Sequence, residues 1–204
     1  MRSLFINTSS FFMSIAIIED DKILYKKEEE IVNDMATKIV PYIEECFEQV
    51  PFSIKNIEKI FVVNGPGSFT GVRIGVTAAK VIAWAEKINL IPLSSLEVLA
   101  STTIEKKYRI PVIDARRGYV FAGVYNSDLQ IVMEDQYIEA KELNEYINDG
   151  EIISYDDISG AIRPKLDIVR VINKHENDIP INPHQLSPNY LKLTEAEEKR
   201  MDGE

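Results

Sequence analysis

Asn64-Gly65-Pro66-Gly67-Ser68-Phe69-Thr70-Gly71-Val72-Arg73-Ile74-Gly75 is the stretch whose residue types and spacing hold the most potential chemistry. Gly65 and Gly67 stand where the apolar run Ile60-Phe61-Val62-Val63 must turn sharply into a helix, and Pro66 fixes its own φ. Amides at the start of that helix point outward, so Gly65, Gly67, Ser68 and the nearby Arg73 are candidates for holding an anion. A tight turn without any ligand accounts for the same glycines. No Lys-Ser or Lys-Thr follows the last glycine, which excludes a Walker phosphate loop.

Two further polar positions belong together. Asn7 and Asp114 lie 107 residues apart, each ending an apolar run, Leu4 to Ile6 and Ile110 to Ile113. In a duplicated α/β chain both would face a cleft between the halves. Two acids there could hold a metal–nucleotide complex, but Asn7 is neutral and a poorer ligand for a hard cation. Neither turn is glycine-rich, which argues against nucleotide hydrolysis. Arg116 and Arg117 follow Asp114, and Arg116 is either a cleft residue or half of a salt link across the cleft. His175 and His184 are separated by nine residues with two prolines between them, which suits no helical metal pair and leaves solvated or capping roles. Cys46, the single cysteine, falls on an apolar helix face and is assigned to the core. No Ser/His/Asp constellation is legible.

Positioning these residues falls to an α/β chain. Length 204 allows one domain or two small ones, and the 45% hydrophobic and 27% charged content suits a folded core. The net charge of −10 opposes a nucleic-acid grip by the overall field. One cysteine fits a reducing cytosol, no apolar run is long enough to span a membrane, and no secretory leader is evident, so a cytoplasmic location is expected.

Residues 3–30 alternate as an antiparallel meander whose charged end, Lys26 to Glu30, is expected to be a solvated edge. Val32, Met35, Ile39, Ile43, Cys46 and Val50 recur at helical steps, with Asn33 as a cap and Pro41 expected to kink or split the helix. A second helix follows over Val72 to Lys87, a strand over Leu90 to Leu93, and a helix opening at Ser94 with Glu97 at capping-box spacing. On the second helix Gly71, Gly75, Ala79 and Ala83 share one face. Glycine inside a helix costs about 1 kcal/mol against alanine, so a close neighbour is implied. That neighbour is either the protein's own sheet or neighbouring helix, or a helix of another chain.

Shifted by 107, the first strands and turns fall on Ile113-Asp114, Ala122 to Tyr125 and Ser127-Asp128, which indicates an internal duplication. The expected division is 1–105 and 106–204. Beyond Glu139, Lys141 to Ile147 is expected to be helical, Ile152-Ile153 and Ile168 to Val171 to be strands, 179–190 a loop, and Thr194 to Arg200 a short helix able to return to the first lobe.

The Asn64–Gly75 stretch, Ile113-Asp114-Ala115-Arg116-Arg117-Gly118, Pro188-Asn189-Tyr190-Leu191-Lys192 and the Asn7-Thr8-Ser9 opening resemble the TsaB (YeaZ) family over nearly the whole chain. The resemblance implies an actin-like ATPase fold of two ribonuclease-H-like lobes. It implies a non-catalytic paralogue of TsaD that acts with TsaD and the ATPase TsaE. Their product is threonylcarbamoyladenosine next to the anticodon of tRNAs reading codons that start with A. TsaD would hold the metal and transfer the group, tRNA would be met indirectly, and this chain would hold no metal or cofactor, meeting nucleotide only through the complex. Docking would use first-lobe helices through Val32, Met35, Ile39, Ile43, Gly71, Gly75, Ala79 and Ala83, and the chain alone would pair with itself through much the same surface. On that reading Gly75→Leu should abolish association and spare the fold. Family members usually carry aspartate at Asn7 and often a His-Ser pair where this chain has Val32-Asn33-Asp34-Met35. A peptidase would need a metal pair or nucleophile that is not displayed. An autonomous nucleotide switch would show a lobe angle that responds to ATP.

Overall fold

The computed structural model describes residues 1–31 and 33–192. β1 (Arg2–Asn7), β2 (Phe12–Glu19) and β3 (Lys22–Glu30) form the antiparallel meander. After α1 (Met35–Glu48), β4 (Lys59–Gly65) lies parallel to β1. After α2 (Phe69–Glu86), β5 (Asn89–Ser94) lies parallel to β4. The strand order is β3-β2-β1-β4-β5. Period-two alternation splits this sheet between two cores. Leu4, Ile6, Ile60 and Val62 face α1 and α2, while Phe5, Phe61 and Val63 face α3 (Ser95–Ala100) and α5 (Ile168–Lys174).

The second lobe repeats the plan with fewer parts. β6 (Tyr108–Asp114), β7 (Tyr119–Tyr125) and β8 (Ile131–Glu139) form a meander, and β9 (Gly150–Ile153) lies parallel to β6 after a short 3-10 turn and α4 (Asn144–Ile147). Its order is β8-β7-β6-β9. The 107-residue offset carries Phe12 onto Tyr119 at the starts of β2 and β7, and Asn7 onto Asp114 at the ends of β1 and β6. The architecture is the expected pair of ribonuclease-H-like lobes of the actin-like ATPase fold.

Local expectations are corrected at several points. β3 continues through Glu30 as the edge strand, with Lys26, Glu28 and Glu30 exposed as expected, while Lys27 and Glu29 on its other face are tied to α1. Tyr42 donates to Glu29 at 2.6 Å, and Lys27 donates to Glu45 at 2.6 Å. Asn33 does not cap α1; Asp34 precedes it, with φ of 64° and no side-chain cap. Pro41 neither splits nor ends the helix, because it stands on the exposed side and the carbonyl it leaves unbonded, that of Thr37, is also exposed. Ser94 caps α3 through Leu96 N and Glu97 N, but the Glu97 carboxylate turns to α5 instead of closing a capping box. Residues 168–174 are helical, not a strand: Ile168, Val171 and Ile172 are buried at helical steps, and the Asp167 carboxylate accepts from Arg170 N at 3.1 Å. Between Ile168 and Asn189 the chain returns to the first lobe. Ile181 bridges Leu90, and Asn189 N donates to Asn64 O at 2.7 Å. The expected helix over 194–200 lies outside the described residues.

The small-residue face of α2 meets the protein itself. A Cβ on Gly71 would stand 2.1 Å from Thr8 O, and one on Gly75 would stand 2.2 Å from Thr8 Oγ1. Thr8 Oγ1 donates to Gly71 O at 2.7 Å, and Ala79 and Ala83 are buried in the same core. The own-sheet reading of the stripe therefore holds, and the expectation that Gly75→Leu spares the fold is overturned.

Two polar clusters fasten the lobes. The Ser94 and Tyr125 hydroxyls both donate to Asp135, joining the end of β5 to β7 and β8. Burial pushes Asp135 up, against the two hydroxyl bonds that favour its ionised form. Glu97 on α3 receives Lys174 and His175 at the end of α5, and Lys174 also donates to Leu129 O at 2.6 Å in the β7–β8 turn. Burial opposes the charge on both Glu97 and His175. The bonds to each other, to Lys174 and to Asp178 outweigh it, so Glu97 lies below its usual 4.5 and His175 above its usual 6.5.

Gly75→Leu is expected to destabilise the chain by at least about 1–3 kcal/mol through overpacking against Thr8, read as a lower midpoint in denaturant. The His175 contribution is whole below 6.5 and is lost as pH rises through its higher folded pKa; that of Glu97 is present above 4.5 and fades as pH falls through its lower folded value. His175→Ala should therefore cost roughly 1–2 kcal/mol near pH 6 and distinctly less near pH 9. Equal losses of thermal stability at the two pH values would show that His175 is held as a neutral ring.

Candidate functional site

The interlobe cleft is a cavity of about 650 Å3. Of the seven candidate anion or cleft residues, it collects Asn7, Gly67, Ser68 and Asp114. The turns after β1 and β6 are built alike. Asn7 Oδ1 accepts from Ser9 N at 3.0 Å, and Asp114 Oδ1 accepts from Arg116 N at 2.8 Å. Each side chain thus closes its own turn two residues on, which Asn and Asp favour. The other turn-side polar group in the cleft, Asp156, accepts from the backbone of Asp114 at 2.8 Å. Hydroxyls of Ser9, Ser10, Thr70 and Ser95 and the rings of Phe11, Phe121 and Tyr155 complete much of the wall.

Gly65, Arg73 and Arg116 stand elsewhere. Gly65 is covered by Asn189, whose carbonyl oxygen would be 2.6 Å from an added Cβ. Arg73 lies on the exposed side of α2 with its guanidinium 3.7 Å from the Phe69 ring centre. Arg116 is exposed in the β6–β7 turn at φ 69°, and no ion pair joins it or Arg117 across the cleft among the described residues. At the start of α2 the amide of Gly71 is taken by Ser68 Oγ at 3.1 Å, and Ser68 N donates to Ser9 O at 2.7 Å. The described cleft lining contains carboxylates at Asp34, Asp114 and Asp156 and no lysine or arginine.

The candidate interface residues are redistributed too. Val32 lies outside the described residues. Met35 lines the cleft, half-buried, while Ile43, Gly71, Gly75, Ala79 and Ala83 are buried or packed within the protein and are corrected from interface to interior. Ile39, almost fully buried, forms only the floor of an open apolar groove of about 580 Å3 between α1 and α2. Its rim is formed by Val40 (54% exposed), Val81 (58%) and Phe69 (50%), with Ala36, Ile74 and Ala78 between them. Trp84, 64% exposed, stands on the same helix with its ring 6.4 Å from that of His184. The free face is therefore one step around α2 from the glycine stripe. Apolar residues at 72, 76, 79 and 83 and again at 74, 78, 81 and 82 make α2 apolar on two faces, and that was the available signal. Of the two histidines, His175 stands at the C-cap of α5, one of the two roles expected, and its ring meets Glu97 on α3. Cys46 is buried in the core, its thiol pushed up to about 11 by burial. No three His, Cys, Asp or Glu side chains cluster as metal ligands among the described residues, and no helix among them is long and apolar enough to cross a membrane.

Comparison with known proteins adds family to geometry. A family model described as TsaD, tRNA N6-adenosine threonylcarbamoyltransferase, matches residues 29–177. The Bacillus subtilis protein named tRNA threonylcarbamoyladenosine biosynthesis protein TsaB is 29% identical over the full length of both chains. The Haemophilus influenzae protein of the same name is 26% identical over 97% of this chain and 76% of its own. A Pseudomonas aeruginosa structure described as an uncharacterized protein with similarity to peptidase YEAZ superposes with a TM-score of 0.80 at 18% identity, covering 94% of this chain and 99% of that one. A second structure, YeaZ from Pseudomonas aeruginosa, gives 0.74 at 17% identity, covering 93% and 99%.

Proposed function

The chain belongs to the TsaD threonylcarbamoyltransferase family, in its TsaB (YeaZ) branch, and we propose that it serves threonylcarbamoyladenosine formation in tRNA as a non-catalytic subunit that docks TsaD. The observation that carries this reading is the groove between α1 and α2. Large apolar side chains at Val40, Val81 and Phe69 stand open to solvent around a preformed trough, and contiguous exposed apolar surface of this kind marks an interaction site. Two helices offering a trough suit two facing helices of a structurally similar lobe, which is what a paralogue would bring. In this reading TsaD supplies the metal and the transfer chemistry. TsaE joins the assembly, tRNA is the shared substrate, and the work is done in the cytoplasm. The chain holds no nucleotide or other cofactor of its own, consistent with a cleft lined by carboxylates and lacking lysine or arginine among the described residues. Alone, it closes the same groove on a second copy.

Val81→Lys places a charge in the trough without touching the core. Its affinity for the TsaD of the same organism, measured by light scattering after size exclusion and by titration, is expected to fall about thirtyfold or more, the scale of a central interface residue. Thermal stability should be unchanged. Full affinity in the folded variant would remove the groove from the docking surface.

A further inference from the structure

Beyond the rim of the groove lies a row of aromatic rings interleaved with cations. Tyr190 is 37% exposed and stacks on Phe69 with centroids 5.3 Å apart. Arg73 lies over the other ring of the pair and donates from Nε to the Tyr190 hydroxyl at 2.7 Å. Beside this stack is a second cavity of about 210 Å3 whose wall includes Phe69, Tyr190, Phe121, Asn189 and Lys192. The row then continues across the second lobe. Phe121 and Tyr137 have centroids 5.6 Å apart, and Tyr137 stacks on Tyr119 at 4.9 Å and 12°. Lys192 Nζ lies 5.0 Å from the Tyr137 ring centre, and Arg116 and Arg117 are exposed in the turn that leads into Tyr119.

Each part of the row has chemistry of its own. Exposed aromatic faces and guanidinium planes are platforms for unstacked bases, and lysines and arginines beside them meet the phosphates. Among the described residues Arg73, Lys192, Arg116 and Arg117 make no ion pair with a carboxylate, and Glu139, which accepts from the Tyr119 hydroxyl at 3.5 Å, is engaged by Lys141. The cavity is smaller than the usual small-molecule site and suits one flat ring, with the Asn189 amide able to reach a base edge. We propose that this row binds a single-stranded segment of RNA, one base entering the cavity against Tyr190 and Phe121 while the adjoining phosphates face Lys192, Arg116 and Arg117. The inference rests on the function proposed above, which makes an RNA the substrate of the assembled complex, and adds that this chain touches that RNA directly.

The test uses the complex of this chain with TsaD and, as probe, a tRNA transcript that reads codons starting with A. RNA affinity is measured by fluorescence anisotropy at several salt concentrations, and size exclusion of the same samples reports assembly. Tyr190→Ala is expected to weaken RNA binding at least about fivefold, with Tyr190→Phe keeping the affinity. Lys192→Ala should reduce the slope of log affinity against log salt by about 0.7. Should Tyr190→Ala disturb the C-terminal strap, Lys192→Glu tests the same contact from an exposed side chain and should lower affinity by a similar factor. Intact complexes whose RNA affinity does not respond to Tyr190→Ala and Lys192→Glu overturn the inference and leave the docking role standing. Failure of the unaltered chain to assemble with TsaD overturns the docking role itself.

Discussion

Thr8 sits in a notch cut into α2 by Gly71 and Gly75, and much of the molecule is arranged around that contact. The turn after β1 could not approach the helix if either position carried a side chain. The approach lets Ser9 O accept Ser68 N, so the loop after β4 and the turn after β1 become one rigid block. It also presses the small-residue face of α2 onto the sheet. The helix then has no room to rotate its second apolar face inward, and Val81 and Phe69 are left outside. Close packing on one side of the helix thus produces the open groove on the other.

The same block takes up amides and side chains that a phosphate-binding turn would leave free. In a phosphate loop the amides stay free for the anion. Here Ser68 Oγ occupies the amide of Gly71, the amide of Ser68 is spent on Ser9, and the turn side chains Asn7 and Asp114 are spent on their own backbones. Electrostatics points the same way. A phosphate in the cleft would face Asp114 and Asp156, and a like-charge pair at about 4 Å costs roughly 1–4 kcal/mol between bulk water and a protein surface. The lobes are meanwhile held by Asp135, which draws hydrogen bonds from both sides of the lobe boundary, and by Lys174, which joins Glu97 to Leu129 O.

Much of this was legible from sequence, because strands and amphipathic helices are written in local periods. The meander, the strand–helix alternation after it, and the 107-residue repeat come from alternation and turns. Other features depend on distant partners and were not legible. Ile168, Val169, Val171 and Ile172 are β-branched, yet they also stand at helical steps, and Asp167 as cap decides for the helix. The charged end of β3 could be solvated or paired, and only the position of α1 settles it. The Gly71–Ala83 stripe announced a close neighbour without saying which, and the face that is free was masked by being the less regular of the two. The segment 179–190 could be recognised as a loop, but not as a strap, since its bonds to Leu90 and Asn64 span about half the chain.

The net charge invites one further step. An excess of ten negative charges opposes contact with a polyanion at long range, but the field that matters at a contact is local. The Debye length is about 8 Å at physiological ionic strength, so charges farther off are largely screened. Many acids are also engaged: Glu29 and Glu45 by α1 and β3 partners, Glu97 by α5, Glu139 by Lys141. Arg73 lies against the Phe69 and Tyr190 rings and Lys192 against that of Tyr137, so cations stand on these ring faces. A strongly acidic chain can therefore present a small cationic, aromatic surface. The strap that carries Tyr190 and Lys192 to it is anchored at Asn64 and Gly65, on the block that Thr8 locks in place.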